Sequence, residues 1–290
     1  MPTKHDKWSD WLTSRRFGND KNLALQTMAR LEIIRDRLLR NAAITEGNNI
    51  LDIGTGDGLI GLEALKYVGN TGRVYFTDIS QDALEICREK IPSTYMGKSY
   101  FFLQSADNLD KFDEDSLDVV TARAAVMYVS DKQKVFREFY RVLRPGGRVS
   151  IFEPINKFSA LHSPSYLDLD FSEIDTELAK KILDPLGYPL DTLNNPILNF
   201  DERDLFRFAE AVGFKDVKVD NCLVKTSQVM LQPWEVFLES SANPLTPPMK
   251  DILSTLKLEE KRVAINFLLN AWRRPLRSGY HAETYLIAVK

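Results

Sequence analysis

The sequence predicts an α/β fold built on a doubly wound, mostly parallel sheet with helices on both faces. Three observations support this prediction. Short apolar runs of strand length recur in the first half of the chain, beginning at residues 50–53, and segments with helical spacing alternate with them. A glycine-rich turn follows the first run, and the next strand ends on an acid, Asp78. Since crossovers between parallel strands are right-handed, the carboxyl ends of the strands are expected to border one crevice.

The amino-terminal segment precedes this sheet. Residues 1–20 place aromatic and cationic side chains close together, among them Trp8 and Trp11. Two interpretations are open: a helix that packs its tryptophans on the body, or an arm that closes over a ligand pocket. Between residues 22 and 41, apolar side chains recur at helical spacing, which predicts an amphipathic helix leading into the first strand.

The glycine turn spans residues 50–58, Ile-Leu-Asp-Ile-Gly-Thr-Gly-Asp-Gly. A strand, a glycine turn and a helix together bring backbone N–H groups and a positive helix end to a ligand. Two registers fit. Gly56-x-Gly58-x-x-Gly61 matches the dinucleotide pattern, which is weak on its own. Asp52-x-Gly54-x-Gly56 instead places a carboxylate on the last turn of the strand, where it would repel a pyrophosphate and suit a ligand with a cationic amine.

The second and third strands are predicted at residues 73–78 and 100–103. The second ends on Asp78, 26 residues after Asp52, where both nucleotide interpretations require an acid for a ribose diol. Ser80 is expected to cap a helix that runs through residue 91.

The fourth and fifth strands are predicted at residues 116–121 and 148–153, with Arg123 at the carboxyl end of the fourth. Between them, the pattern Ser130-x-x-Gln133 predicts a capping box that opens a helix running to residue 143.

Two motifs resemble those of a known family. Residues 51–58 closely resemble motif I of the class I S-adenosylmethionine (SAM) methyltransferases, and Val-Leu-Arg-Pro-Gly-Gly at residues 142–147 resembles a second hallmark of that family. The resemblance covers residues 50 to about 153 and points to a small-molecule, UbiE-like methyltransferase domain. It implies a Rossmann-like sheet of seven strands, of which the last two form an antiparallel hairpin.

The resemblance also implies an enzyme that moves a methyl group from SAM to an O, N or C atom of a small organic acceptor by in-line displacement, leaving S-adenosylhomocysteine. In the family the glycines pass under the amino-acid end of SAM, and an Ala-Asp pair contacts the adenine. Carried over to this chain, the expected SAM-binding residues are Asp52, Gly54, Thr55, Gly56, Asp78, Ile79, Ser105, Ala106, Asp107 and Arg123.

Two long segments interrupt the predicted core. Proline-rich residues 156–199 and residues 230–279, which include a predicted helix at 258–274, have a high aromatic content. We expect them to form a lid over a mainly apolar acceptor pocket; a thicker domain or a homodimer contact are the alternatives. The predicted division is an arm and helix at 1–45, a SAM-binding core at 46–155, a first lid insertion at 156–199, a core continuation at 200–229, a second lid insertion at 230–279 and a final strand at 280–290.

No catalytic residue is identified by the sequence. SAM is already activated, so positioning can supply much of the catalysis, and only an acceptor hydroxyl requires a base. His162, His281 and Tyr128 are weak candidates for that role. No metal site is expected, because the three histidines, which include His5, are far apart and no Cys/His ligand spacing is present.

Composition narrows the class of protein. The 290 residues carry a net charge of -3 and only two cysteines, without a signal-peptide pattern or an apolar run of bilayer length. These features predict a soluble cytoplasmic protein with neither nucleic acid nor membrane as a partner. A methylase of protein or RNA, and a non-catalytic SAM- or nicotinamide-binding protein, remain alternatives, and the acceptor and oligomeric state stay open.

Overall fold

The computed structural model describes residues 6–229, 231–274 and 277–290, with the side chains of residues 228 and 277 excepted. One seven-stranded sheet has the order β3-β2-β1-β4-β5-β7-β6. The strands are β1 (Asn49–Ile53), β2 (Arg73–Asp78), β3 (Ser99–Leu103), β4 (Leu117–Arg123), β5 (Leu143–Pro154), β6 (Lys215–Val229) and β7 (Arg277–Val289). β7 runs antiparallel to both β5 and β6, and the neighbours from β3 to β5 are parallel. The predicted fold class is confirmed.

Helices cover both faces of this sheet. The helices are α1 (Lys7–Asp10), α2 (Lys21–Ala42), α3 (Gly61–Ala64), α4 (Gln81–Glu89), α5 (Lys132–Val142), α6 (Asn156–His162), α7 (Thr176–Leu183), α8 (Glu202–Ala211), α9 (Trp234–Glu239), α10 (Met249–Ser254) and α11 (Leu258–Arg273). Apolar residues of α2 pack with alternate residues of β1 and β2 on one face, whereas α5 and α8 pack on the other. Because helices bury both faces of the central strands, a ligand is expected to bind beyond their carboxyl ends.

One local prediction needs correction. The side chain that caps α5 is Asp131, not Ser130: its carboxylate accepts a hydrogen bond from the N–H of Lys134 at 2.8 Å. A carboxylate at this position also interacts favourably with the positive end of the helix. The helix after the glycine turn is short, Gly61–Ala64, and the turn before it contains positive φ values at Gly54, Gly56 and Gly58.

The hairpin of β6 and β7 is long, and β7 begins at Arg277, three residues before the predicted final strand at 280–290. Pairing between β5 and β7 ends at Pro154 and Glu283, while β6 and β7 remain paired out to Val229 and Arg277. Since β6 is parallel to β5, the hairpin extends beyond the carboxyl ends of the parallel strands. The second insertion therefore begins on the same side as the first.

The two insertions form one helical unit, residues 163–199 and 231–274, which we term the cap. Its buried core joins α7 to α10 and α11 through residues such as Ile182, Leu253 and Leu268. Phe171 and Phe267 contact each other edge to face, with ring centroids 4.8 Å apart. The insertions therefore stabilise each other, although neither one is long enough to bury such a core alone.

Candidate functional site

A cavity of about 890 Å³ opens at the carboxyl ends of the parallel strands. Its wall combines the loops after β1, β2, β3 and β4, the cap, and an amino-terminal arm formed by residues 6–20. The arm contributes Trp8, Trp11 and Leu12. This volume lies in the upper part of the range for small-molecule pockets, roughly 300–1,000 Å³.

Asp52 supports the glycine turn from below. Its side chain is fully buried, and its carboxylate accepts hydrogen bonds from the hydroxyls of Thr55 (2.6 Å) and Thr121 (2.9 Å) and from the N–H of Gly61 (3.0 Å). Burial raises the pKa of Asp52 to about 6, against the effect of these hydrogen bonds. Asp52 therefore orients the turn. Its carboxylate oxygens are not exposed, so its charge acts on the cavity as an electrostatic field and not by direct contact.

Gly54 and Gly56 both have positive φ, +60° and +54°. A Cβ at Gly54 would lie 2.6 Å from the Cβ of Ala125, so no side chain fits there. A Cβ at Gly56 would meet the side chain of Leu12 of the arm, with Cδ1 at 3.3 Å and Cδ2 at 3.7 Å. Gly56 thus presents bare backbone to the cavity directly beneath the arm.

Asp78 lies at the end of β2 on the cavity wall. One of its carboxylate oxygens accepts a hydrogen bond from the N–H of Gly56 (2.8 Å), and the other from the N–H of Ser80 (2.9 Å). Burial raises the pKa of this carboxyl. Each oxygen retains a further lone pair, so the carboxylate fits two hydroxyls of a ribose. Ile79, beside it, is an apolar wall residue with 51% of its surface exposed.

The segment after β3 forms the neighbouring wall. Ser105, Ala106 and Asp107 all line the cavity, and Ala106 is buried. The Ser105 hydroxyl donates a hydrogen bond to the Asp107 carboxylate, which also lies 3.9 Å from the Nζ of Lys134. These residues and Ile79 together give an apolar surface edged by an acid, which fits a purine and its amine.

Arg123 and Tyr128 line the cavity at the end of β4. The Tyr128 ring meets Trp8 edge to face at 5.0 Å between centroids. Burial, together with the nearby Glu153, raises the pKa of Tyr128 above its usual value. At neutral pH the phenol is therefore protonated, so it can donate a hydrogen bond but cannot act as a base.

Glu153, on β5, was not singled out in the sequence. It is fully buried, and its carboxylate accepts hydrogen bonds from the N–H groups of Ala125, Val126 and Met127 at 2.9 to 3.2 Å. Burial raises the pKa of Glu153 to about 7. The sequence signal that could have identified Glu153 was its position at the end of a predicted strand, which it shares with Asp78. Its hydrogen bonds fix the backbone that follows β4.

The two candidate histidines do not line the cavity. His162 Nδ1 lies 2.8 Å from the carbonyl oxygen of Phe158, and the ring stacks on Tyr280. His281 lies on β7 opposite Val224. His5 lies outside the described residues. In the described part of the chain, no three His, Cys, Asp or Glu side chains form a group that could hold a metal ion.

The arm and the cap are joined over the cavity. The indole N–H of Trp11 donates to the carbonyl of Ser241 (2.9 Å), and the N–H of Ser241 donates to the carbonyl of Arg15 (2.9 Å). On the other side, the buried Lys132 donates to the carbonyl of Pro196 (2.8 Å). Burial lowers the pKa of Lys132 to about 8. The second insertion is therefore bound to the arm through Ser241, and the first insertion is bound to α5 through Pro196.

The cap gives the cavity an apolar, aromatic wall. Tyr166 and Tyr188 line it, with ring centroids 5.7 Å apart, and Tyr280 of β7 lies nearby on the same wall. Several other aromatic residues of the insertions pack inside the cap, where Trp272 contacts both Trp234 and Phe237 at 4.9 Å between centroids. The aromatic content therefore serves both the wall and the interior of the cap.

None of the helices in the described part of the chain has the length and apolar character needed to cross a membrane.

Comparison with known proteins agrees with this arrangement. The model of the ubiE/COQ5 methyltransferase family matches residues 18–222. The chain is 26% identical over 185 residues to the ubiquinone/menaquinone biosynthesis C-methyltransferase UbiE of Marinomonas sp., covering 63% of this chain and 72% of that protein. The UbiE of Pseudoalteromonas translucida is 30% identical over 153 residues, covering 53% of this chain and 55% of that protein.

Solved structures share the fold at low identity. The YcgJ protein from Bacillus subtilis superposes with a TM-score of 0.54 at 16% identity, covering 88% of this chain and 97% of that one. Phosphoethanolamine N-methyltransferase 2 of Haemonchus contortus, solved with phosphomonomethylethanolamine and S-adenosylhomocysteine, gives a TM-score of 0.51 at 18% identity, covering 88% of this chain and 52% of that one. Since the family model matches well over half of the sequence, the chain belongs to the ubiE/COQ5 methyltransferase family and is a SAM-dependent methyltransferase.

Proposed function

We propose that the protein methylates a small, largely apolar organic acceptor that binds between the glycine turn and the cap. One observation carries this proposal: a single cavity has the glycine turn and Asp78 on one side and the cap tyrosines on the other. Donor and acceptor sites therefore share one space. Such an arrangement favours direct transfer, because the two reactants are held together and oriented.

The chain's residues fit SAM as the donor. Asp78 would accept from the ribose hydroxyls, Ser105–Asp107 and Ile79 would contact the adenine, and the bare backbone at Gly56 would allow close approach. When bound, SAM supplies a methyl group activated by its sulfonium. The protein's task is then to align the acceptor and keep water away.

The cap and the arm are suited to that task. They cover the glycine turn with Leu12 and border the cavity with Tyr166 and Tyr188. A low-dielectric cover of this kind strengthens the electrostatic contacts beneath it. Tyr128 lines the cavity, and its protonated phenol would donate a hydrogen bond to a polar group on the acceptor. Neither histidine is placed to act as a base.

The acceptor class is argued from the wall of the cavity. Aromatic and aliphatic side chains of the cap favour a flat or branched apolar compound, and the relatives named above act in ubiquinone and menaquinone biosynthesis as C-methyltransferases. Phenolic and quinol compounds are therefore reasonable first test acceptors. A macromolecular acceptor is disfavoured by the net charge of -3 and by the roof of arm and cap.

The test begins with isothermal titration of SAM, S-adenosylhomocysteine and NAD. We expect the first two to bind at one site per chain and NAD not to bind. Purified protein is then incubated with methyl-labelled SAM and a fractionated extract, and labelled products are identified by mass spectrometry. Label in low-molecular-weight compounds supports the proposal. Label only in protein or RNA, or SAM binding without any labelled product, contradicts it.

A further inference from the structure

The first insertion contains a turn with an unusual backbone at residues 165–168, between α6 and α7. Leu167 has a φ of +55° and a ψ of +22°, and Asp168 has a φ of +50°. Among the described residues, no other two successive non-glycine residues have positive φ. This left-handed region is unfavourable for any residue with a Cβ, and a bulky residue such as leucine rarely adopts it.

Contacts on both sides hold the turn in this conformation. Leu169, directly after it, is buried in the core of the cap. The carbonyl oxygen of Asp168 accepts a hydrogen bond from Nη1 of Arg274 at 2.7 Å, which joins the turn to the second insertion. Within the turn, the ring of Tyr166 contacts that of Tyr188. Strained backbone persists only where its surroundings determine it, and it is concentrated at functional sites.

The turn brings successive residues to the cavity. Ser165, Tyr166, Leu167 and Asp168 all line it. An extended chain would point alternate side chains to opposite sides, and a helix would rotate each side chain about 100° from the one before. A regular conformation would therefore turn part of this segment away from the cavity. Leu167 also packs against the core of the cap, so its side chain lies between that core and the ligand space.

Leu167 lies on the acceptor side of the cavity. The residues expected to bind SAM stand at the ends of β1 to β4, whereas the turn belongs to the cap, which follows β5. Leu186, Tyr188 and Leu190, also of the first insertion, line the cavity as well. With Leu167 they form an apolar wall. The volume of a side chain in this wall therefore affects the space that is left for the acceptor.

From this placement we infer that Leu167 is a specificity-determining residue, which limits the size of the apolar part of the methyl acceptor. The left-handed turn holds the leucine against the acceptor space, and its contacts on both sides keep that limit fixed. The inference rests on the proposed function, and it adds a residue that selects among apolar acceptors by size. A smaller side chain at this position would leave room for a longer or branched acceptor.

The experiment compares two variants that shorten the same side chain and differ in the backbone that they allow. Leu167→Gly and Leu167→Ala both enlarge the cavity, but only glycine adopts a positive φ without strain. The control is Leu193→Ala, at a leucine of the first insertion that is 82% exposed and lies outside the cavity wall. Each protein is saturated with S-adenosylhomocysteine, and ligand-observed NMR titration measures the Kd of 4-alkylphenols with tails from ethyl to octyl. Thermal melting compares the stabilities.

We expect the longest alkylphenols to bind both Leu167 variants about tenfold more tightly than wild type or the control, because each newly buried methylene contributes about fourfold in affinity. The Kd for S-adenosylhomocysteine should agree within about twofold among all four proteins, since the leucine lies on the acceptor side. Leu167→Gly should melt at a higher temperature than Leu167→Ala, which is the reverse of the order at an ordinary position.

Three results would contradict the inference. The first is the same dependence of Kd on tail length in wild type and both Leu167 variants. The second is a melting temperature of Leu167→Gly below that of Leu167→Ala, because the turn would then not be strained. The third is a large loss of affinity for S-adenosylhomocysteine in both variants, which would assign the leucine to the SAM site. If wild type does not bind S-adenosylhomocysteine, the proposed function fails, and the inference fails with it.

Discussion

The Asp78 carboxylate offers the sharpest test of the SAM site. Asp78→Ala removes an acceptor placed for the ribose hydroxyls, and also the two hydrogen bonds that the carboxylate accepts from Gly56 and Ser80. A hydrogen bond to a charged group contributes about 1.5 to 3 kcal/mol. We therefore expect Asp78→Ala to weaken SAM binding by more than about 1.5 kcal/mol, which is more than about tenfold in Kd.

The two roles of Asp78 can be separated in the assay. Isothermal titration with S-adenosylhomocysteine and its 2′-deoxy analogue measures the contribution of one ribose hydroxyl in wild type and in Asp78→Ala. If the carboxylate binds the ribose, wild type discriminates between the ligands and the variant does not. Ser80→Ala is the matched control, because it removes the cap of α4, a hydrogen bond of 3.0 Å to the N–H of Ala83, and keeps the carboxylate.

Two results would refute this reasoning. An unchanged Kd for S-adenosylhomocysteine in Asp78→Ala would reject the assignment of the ribose to this residue. A large loss that is equal for both ligands would show that the carboxylate acts only by holding the backbone at Gly56. In that second case Asp78 would be a positioning residue.

Three further predictions concern the glycine turn, the cap and the buried Glu153. Gly56→Val should abolish SAM binding and lower the melting temperature modestly, because valine is strained at its φ of +54°. Gly54→Val should lower that temperature further, because its Cβ would also lie 2.6 Å from that of Ala125, and calorimetry that reverses this order would contradict the geometry. Tyr188→Ala should reduce turnover of the acceptor at least about tenfold while the Kd for SAM stays within about twofold, and loss of SAM affinity would count against an acceptor role for the cap. The free energy of unfolding of wild type should fall as pH rises from about 4.5 to 7, because the native state holds the Glu153 proton more tightly than the unfolded chain does. In urea unfolding, Glu153→Gln should show a smaller fall over the same pH range. The same pH dependence in both proteins would exclude Glu153 as its source.

The core of the fold was predictable because its signals are local. β2 was expected at residues 73–78 and is found there, and β1 and β3 differ by one residue at their starts. Each of these strands is a short apolar run that ends at a turn or at an acid, so its limits are written in consecutive residues. The glycines of the turn were predictable for the same reason, since positive φ at Gly54 and Gly56 is a property of the local backbone.

The cap was only partly predictable, because its stability comes from contacts between distant parts of the chain. The sequence predicted two insertions and a helix from residue 258, but it could not show that the two segments share a core. The contact of Phe171 with Phe267 and the ion pair of Lys181 with Glu260 join the first insertion to the second. Side-chain periodicity within one segment carries no information about such pairs.

The site shows the same division between local and distant signals, and this division has a functional consequence. Asp52 and Asp78 were singled out because each stands at the end of its own strand. Leu12 gave no comparable signal, because its position over Gly56 depends on the arm lying over a turn some 40 residues away. The residues that are recognisable in sequence belong to the part of the cavity that fits SAM, a ligand common to many methyltransferases. The residues that emerged only in three dimensions belong to the arm and the cap, which border the remaining space. Acceptor selectivity should therefore follow changes in the arm and cap, with SAM affinity set mainly by the residues at the strand ends.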